Sequence, residues 1–328
     1  MTTGLGPSTY PVRRCPHTPG RRTVPHMCET IVERFGYRVR VRSFGPLDAP
    51  DALVLPGMGA TSFTLAPQIR LLRRLGYRTH VVDLPGFGLS PALRQEDARL
   101  TQLAELVAGV CADLGIRRTL VLGHSLGGGI ALHMALARRD LVSGLVLLAP
   151  AALGRSLVWT YKLFCLPLLG RALLQPSRHA AREYFRRFLV GRARRDEVKF
   201  INRLIRNDHQ SPAKTRSMRA IVWANQPPRR SRVARLLLPG GEQNHFSVRR
   251  HVDALRGIPI LVLWGSDDRV LAAHEAIAFA EADPDAEVHV VRGMGHMLPL
   301  EAPAWVNTHI ARFDTQRLRP PTEPRAAA

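Results

Sequence analysis

The stretch Thr119-Leu-Val-Leu-Gly-His-Ser-Leu-Gly-Gly-Gly-Ile-Ala-Leu-His-Met-Ala-Leu-Ala137 decides how the rest of the chain is read. Residues 119–122 form a short apolar run suited to a strand buried on both faces. Residues 130–137 read as a helix. Between them stands Gly123-His124-Ser125-Leu126-Gly127, a G-x-S-x-G pentapeptide. A strand that reverses sharply into a helix puts the central serine at the apex of the turn, in a strained backbone conformation. The flanking glycines leave room for that turn. The helix N-terminus behind it offers unpaired N–H groups and the positive end of a dipole to a developing oxyanion. The pentapeptide alone does not establish a nucleophile. Its place between a strand and a helix makes Ser125 a candidate nucleophile, while His124 reads as a packing residue.

Working outward, Ala52-Leu-Val-Leu55, Thr79-His-Val-Val82, Leu145-Val-Leu-Leu148 and Ile260-Leu-Val-Leu263 are further runs of the buried-strand type. Tyr37-Arg-Val-Arg-Val-Arg42 alternates with period two, as an exposed antiparallel strand does. Helical stretches lie between, such as residues 100–114 with apolar side chains at 103, 106, 107, 110 and 114. This alternation predicts an α/β fold, a mostly parallel, doubly wound sheet covered on both sides. It stops at Pro150 and resumes near Ile258. In between, Tyr184, Phe185, Phe188 and Leu189 share one helical face with arginines opposite, and Val198, Ile201 and Ile205 repeat the spacing. The predicted organisation is a disordered basic extension over residues 1–28, a first part of the core over 29–150 and a basic helical cap over 151–250. A second part of the core follows over 251–314 and a tail over 315–328. Met1 and Met27 both stand as candidate initiating residues.

At 328 residues, with 45% hydrophobic and 22% charged, the composition is that of a globular protein and excludes a fibre or a disordered chain. The net charge of +21 is unevenly placed. Residues 151–250 carry 22 Lys and Arg against 5 Asp and Glu, residues 1–28 carry 4 Arg and no acid, and the remainder balances. Cys15, Cys28, Cys111 and Cys165 lie far apart with no CxxC pair. They argue against a disulfide framework or a zinc site and suit a reducing, cytoplasmic setting. No stretch reads as a membrane span or a secretory signal.

A serine hydroxyl attacks only when a base takes its proton. Of 13 histidines, His296 in Gly293-Met-Gly-His-Met-Leu-Pro-Leu-Glu301 alone sits in a loop just past the last predicted strand. The third member must be a carboxylate that orients the imidazole and stabilises its cation. Ile260-Leu-Val-Leu-Trp-Gly-Ser-Asp-Asp268 ends a buried strand with two acids, at the carboxyl end where parallel sheets build their sites.

Together these signatures resemble the α/β-hydrolase superfamily, in its cap-bearing branch of esterases, C–C bond hydrolases and cofactor-free haloperoxidase-like proteins. The resemblance spans residues 30–314. Besides the pentapeptide and Trp264-Gly-Ser-Asp-Asp268, it is carried by Leu55-Pro-Gly-Met-Gly59, Val82-Asp-Leu-Pro-Gly-Phe-Gly-Leu-Ser90 and Gly295-His296. It implies Ser125 as nucleophile, His296 as base and Asp268, four positions after Trp264, as the acid in preference to Asp267. It also implies an oxyanion hole built from the backbone N–H groups of Leu126 and Met58, with no metal and no cofactor. Pro56-Gly57 departs from the His-Gly usual before the second donor, which changes the hydrogen bonding that places that loop. Serine at the elbow sets the chain apart from haloalkane dehalogenases and epoxide hydrolases, which carry aspartate there. Asp83 resembles the family's structural turn aspartate.

The expected activity is cleavage of an ester or related carbonyl compound through an acyl-enzyme. The expected substrate is a hydrophobic small molecule, with an anionic group if the basic cap tunes the site. C–C cleavage beside a ketone and acyl transfer remain open on the same triad. A ligand receptor or partner-binding protein remains open on the same fold. The arginines of the cap read first as a solvated outer face. The alternative is peripheral contact with an anionic membrane surface, where each basic residue contributes about 1 kcal/mol. No nucleic-acid-binding module accompanies the charge.

Overall fold

The computed structural model describes residues 27–88, 90–154, 178–206, 212–225 and 247–319. Among them, eight strands form one sheet in the order β1-β2-β4-β3-β5-β6-β7-β8. In chain order these are β1 (Cys28–Arg34), β2 (Tyr37–Phe44), β3 (Asp51–Leu55), β4 (Arg78–Asp83), β5 (Thr119–His124), β6 (Val142–Leu148), β7 (Ile260–Gly265) and β8 (Glu287–Val291). The β1–β2 hairpin joins β4 antiparallel, and every pairing from β4 to β8 is parallel. The predicted mostly parallel sheet is therefore the one found.

Helices cover both faces. They are α1 (Ala66–Arg74), α2 (Leu100–Asp113), α3 (Leu126–Ala137), α4 (Arg178–Tyr184), α5 (Val198–Arg206) and α6 (Pro212–Ala224), then α7 (His274–Ala282), α8 (Leu298–Glu301) and α9 (Pro303–Phe313). The strand period of two divides the core between the faces. Ala52, Val54, Leu120, Leu122, Leu261 and Leu263 pack on one side with Leu72 of α1 and Ile310 and Phe313 of α9. Leu53, Leu55, Val121, Val262 and Trp264 pack on the other, with α2 and α3. Burial on both faces explains why these strands read as continuous apolar runs.

β2 modifies its expected pattern. Tyr37, Val39 and Val41 turn inward, as the alternation requires. Arg40 and Arg42 are not left to solvent: both pair with the buried Asp83 carboxylate, at 2.6 Å and 3.3 Å. Asp83 thereby holds the antiparallel hairpin to the parallel sheet. A Cβ on Gly88 (φ 59°) would stand 2.2 Å from Asp83 Oδ2, so the turn after β4 closes over that carboxylate only with glycine there.

Between β6 and β7 the described elements are all helical: α4 runs into a wider turn over Phe185–Leu189, then come α5, α6 and a 3-10 stretch over Arg249–Leu255, with turns between. Phe185, Leu189, Ile201 and Leu204 are buried. Glu183, Asp196 and Glu197 pair with Arg186, Arg187 and Arg194, so part of the positive charge here is balanced locally. The apolar run at 156–170 and the N-terminal extension up to residue 26 lie outside the described residues. No described helix is long and apolar enough to cross a membrane. One cysteine differs from expectation: Cys28 is disulfide-bonded. Cys111 is free, and burial pushes its thiol up to about 12.

Candidate active site

β5 delivers Ser125 to the carboxyl end of the sheet, at φ 53° and ψ −116°. Three backbone bonds hold it there: its N–H donates to Leu148 O at 3.0 Å, and its carbonyl accepts from Gly129 at 3.1 Å and Ala151 at 2.9 Å. A strained residue persists when its surroundings over-determine it in this way. Close approach explains the glycines. A Cβ on Gly123 would lie 2.5 Å from Gly127 O, and one on Gly127 would lie 2.0 Å from Leu55 O.

The loop after β8 brings His296 to this serine and the loop after β7 brings Asp268. His296 Nε2 stands 2.9 Å from Ser125 Oγ, and its Nδ1 stands 2.8 Å from Asp268 Oδ2. A carboxylate accepts, so Nδ1 carries the proton and Nε2 is left to accept from the serine hydroxyl. Asp268 Oδ1 is itself fixed by the N–H groups of Val270 at 2.8 Å and Leu271 at 2.9 Å. His296 and Asp268 are both buried, whereas Ser125 is partly accessible. Asp267 points elsewhere: its Oδ2 accepts from the backbone N–H of Arg192 at 3.1 Å. The three expected residues are thus brought together, with Asp268 rather than Asp267 against the imidazole.

His124 packs as expected and also makes a specific bond, 2.9 Å from Nε2 to the His296 carbonyl. Burial, reinforced by the neighbouring His296, lowers its pKa to about 3, so it is neutral and donates there. Its other face meets the loop after β3, where a Cβ on Gly57 would lie 3.0 Å from His124 Nδ1 and 3.2 Å from Ser125 Cβ. Gly57 therefore brings the Pro56-Gly57-Met58 backbone against Ser125. Leu126 is the first residue of α3, and such N–H groups have no intrahelical acceptor.

Two residues at this site carried no signal in the sequence. Lys214 of α6 is 5% exposed, and its Cε and Nζ would lie 2.8 Å and 3.5 Å from a Cβ on Gly59, one residue beyond Met58. Glu301, at the end of α8, is buried beside the His296 loop. Neither position follows from local pattern, because each depends on elements distant in sequence.

A mostly parallel sheet with a serine on a strained strand-to-helix turn defines an α/β protein of the nucleophile-elbow kind. The family described as alpha/beta hydrolase fold matches residues 53–303, and the chain belongs to that family. One relative is a 2-hydroxy-6-oxononadienedioate/2-hydroxy-6-oxononatrienedioate hydrolase of Comamonas testosteroni. It is 26% identical over 225 residues, covering 68% of this chain and 72% of the relative. An uncharacterized carboxylesterase of Bacillus subtilis is 26% identical over 297 residues, 88% of this chain and 87% of its own. Among solved structures, a thermophilic esterase from Thermogutta terrifontis superposes with a TM-score of 0.67 at 21% identity, covering 90% of this chain and 100% of that one.

Proposed function

We propose that the protein is a serine hydrolase that cleaves a carboxylic ester through an acyl-enzyme, with Ser125 as nucleophile. The observation that carries this reading is the continuous hydrogen-bond chain from Ser125 Oγ through His296 to Asp268 at the elbow. As Oγ attacks the carbonyl carbon, His296 Nε2 takes the hydroxyl proton, and Asp268 stabilises the imidazolium. The N–H groups of Leu126 and Met58 receive the oxyanion. Collapse of the tetrahedral species returns the Nε2 proton to the departing alkoxide. A water then gives a proton to His296 and attacks the acyl carbon, releasing the acid and restoring Ser125.

The substrate class proposed is an acyl group that carries its own carboxylate. The high positive charge of residues 151–250 supports it. The Comamonas relative is named for a dioate, which agrees in charge. That relationship also keeps cleavage of a C–C bond beside a ketone as a second reading on the same residues.

The test is labelling by a fluorophosphonate, comparing wild type with Ser125→Ala, followed by turnover of paired esters with and without a terminal carboxylate. Labelling that disappears in the variant is expected. Wild type that resists the probe while folded would overturn the hydrolase reading. No preference in wild type would remove the anionic substrate class and leave the hydrolase standing. Oxo-acid cleavage without ester turnover would favour the second reading.

A further inference from the structure

Glu301 lies outside the Ser125–His296–Asp268 chain, yet its carboxylate joins two segments that meet at the site. Oε2 accepts from the backbone N–H of Gly191 at 2.8 Å. The N–H of Gly295, the residue before His296, lies 3.1 Å from Oε1 and 3.0 Å from Oε2. Gly191 follows the turn Phe185–Leu189 that continues α4. One carboxylate therefore ties the helical region between β6 and β7 to the loop that carries His296.

The two segments are in direct backbone contact around this tie. Met297 N–H donates to Leu189 O at 3.0 Å, and Ala193 N–H donates to Gly293 O at 3.1 Å. A Cβ on Gly191 would lie 2.2 Å from Gly293 O, and one on Gly295 would lie 2.4 Å from Gly191 N. On the acid side, Arg192 N–H reaches Asp267, and Arg269 Nη1 donates to Arg187 O at 3.1 Å. The segment from Arg187 to Ala193 is thus seated against both loops of the triad.

A carboxylate is an expensive group for a purely structural tie. Glu301 is 4% exposed, and no cation is bonded to its carboxylate among the described residues. The charged groups around it are Asp268, His296 and Arg194, whose Nη1 donates to the Glu301 backbone carbonyl and whose other guanidinium nitrogens pair with Glu197. Burial pushes its pKa up to about 7, against the two N–H bonds that favour the ionised form. Its ionised state nevertheless supplies acceptors to two otherwise buried N–H groups at once.

We propose that Glu301 is a positioning residue for the base: its carboxylate holds the His296 loop and the Gly191 segment as one unit, so that the seating of the overlying helices and the alignment of His296 on Ser125 are coupled. This inference rests on the reading of His296 as the base. An amide at this position offers one acceptor oxygen and turns its NH2 toward one of the two N–H donors. Removing the tie therefore lets the His296 loop shift while leaving the three side chains of the triad chemically unaltered.

The experiment compares wild type, Glu301→Gln, Gly191→Ala and the double variant. It uses turnover of a p-nitrophenyl ester from pH 5 to 9, thermal melting, and the downfield NMR resonance of the His296 Nδ1 proton. Glu301→Gln should lower kcat by roughly 10–100-fold with KM within about twofold, because small misplacements of a reacting group cost that much. Its melting temperature should be unchanged or higher above pH 7. The Nδ1 resonance should shift or broaden, and the acid limb of the kcat profile should move. Gly191→Ala, which wedges the same contact from the other side, should reproduce the loss, and the double variant should be far less than multiplicative. A Glu301→Gln variant that keeps kcat within about twofold and an unaltered resonance would overturn the proposal. So would a Glu301→Gln variant too unstable to assay alongside a folded, fully active Gly191→Ala. If wild type neither labels nor hydrolyses, yet the resonance still responds to Glu301→Gln, the hydrolase reading fails and the positioning role stands.

Discussion

Replacing Ser125 by glycine should make the protein more stable than replacing it by alanine, although both changes remove the proposed nucleophile. Ser125 sits at φ 53° and ψ −116°, where a residue with a Cβ is strained by roughly 1–3 kcal/mol. Alanine keeps that Cβ and the strain, and glycine relieves it. Glycine also loses more backbone freedom on folding, which costs roughly 0.5–1 kcal/mol relative to alanine. Both variants lose the same bond to His296, so that contribution cancels. The difference spans roughly 0–2.5 kcal/mol, and at mid-range it leaves Ser125→Gly ahead of Ser125→Ala by about 1 kcal/mol. Each kcal/mol moves the melting temperature of a large domain by about 2–4 °C, so calorimetry on the two variants resolves the difference. Probe labelling should be absent from both. A Ser125→Gly protein that melts at or below the Ser125→Ala protein would refute the strain assigned to the elbow.

Other outcomes follow from the same contacts. Asp268→Asn keeps an acceptor for Val270 and Leu271 but offers His296 Nδ1 an N–H; the wrong tautomer should lower kcat about 10⁴-fold with the fold intact. Gly57→Ala places a methyl 3.2 Å from Ser125 Cβ and should displace the oxyanion loop, lowering kcat about tenfold or more while KM changes little. Steady-state kinetics with melting curves checks both. His124, depressed from 6.5 to about 3, stabilises the fold above pH 6.5, and that contribution is lost as pH falls toward 3. Glu301, raised from 4.5 to about 7, acts oppositely: its contribution is present below pH 4.5 and is lost as pH rises through 7. The losses are on the order of 4–5 and 3 kcal/mol respectively. Urea denaturation across pH should show the acid-side slope flattened in His124→Asn and the neutral-side slope flattened in Glu301→Gln; unchanged slopes would contradict these environments.

The sheet was legible because its strands are buried on both faces. Ala52–Leu55 and Ile260–Leu263 can only be apolar throughout if helices cover both sides, and the sequence pattern carries that requirement locally. Ser125 was legible for a related reason: the glycines around it are demanded by close backbone approach within a few residues. His296 and Asp268 were reached through the loops at strand ends, with the choice over Asp267 supplied by resemblance. Arg40 and Arg42 were read as facing solvent, because nothing local announces a buried partner at Asp83. The disulfide at Cys28 runs against the expectation drawn from four scattered cysteines, because spacing alone does not say which thiols meet.

By itself, then, the sequence determined the class of fold and the kind of residue at each turn, since strand burial and turn sterics are short-range demands that each segment must satisfy alone. Tertiary structure decided what those residues meet. Glu301 became a tie to Gly191 only because folding brings a backbone N–H from 110 residues away to its carboxylate. Lys214 came to lie beside Gly59 only because α6 packs over the loop after β3. Backbone donors carry no side-chain identity, and helix packing over a loop leaves no periodicity in either partner, so neither relation is written in the chain before it folds.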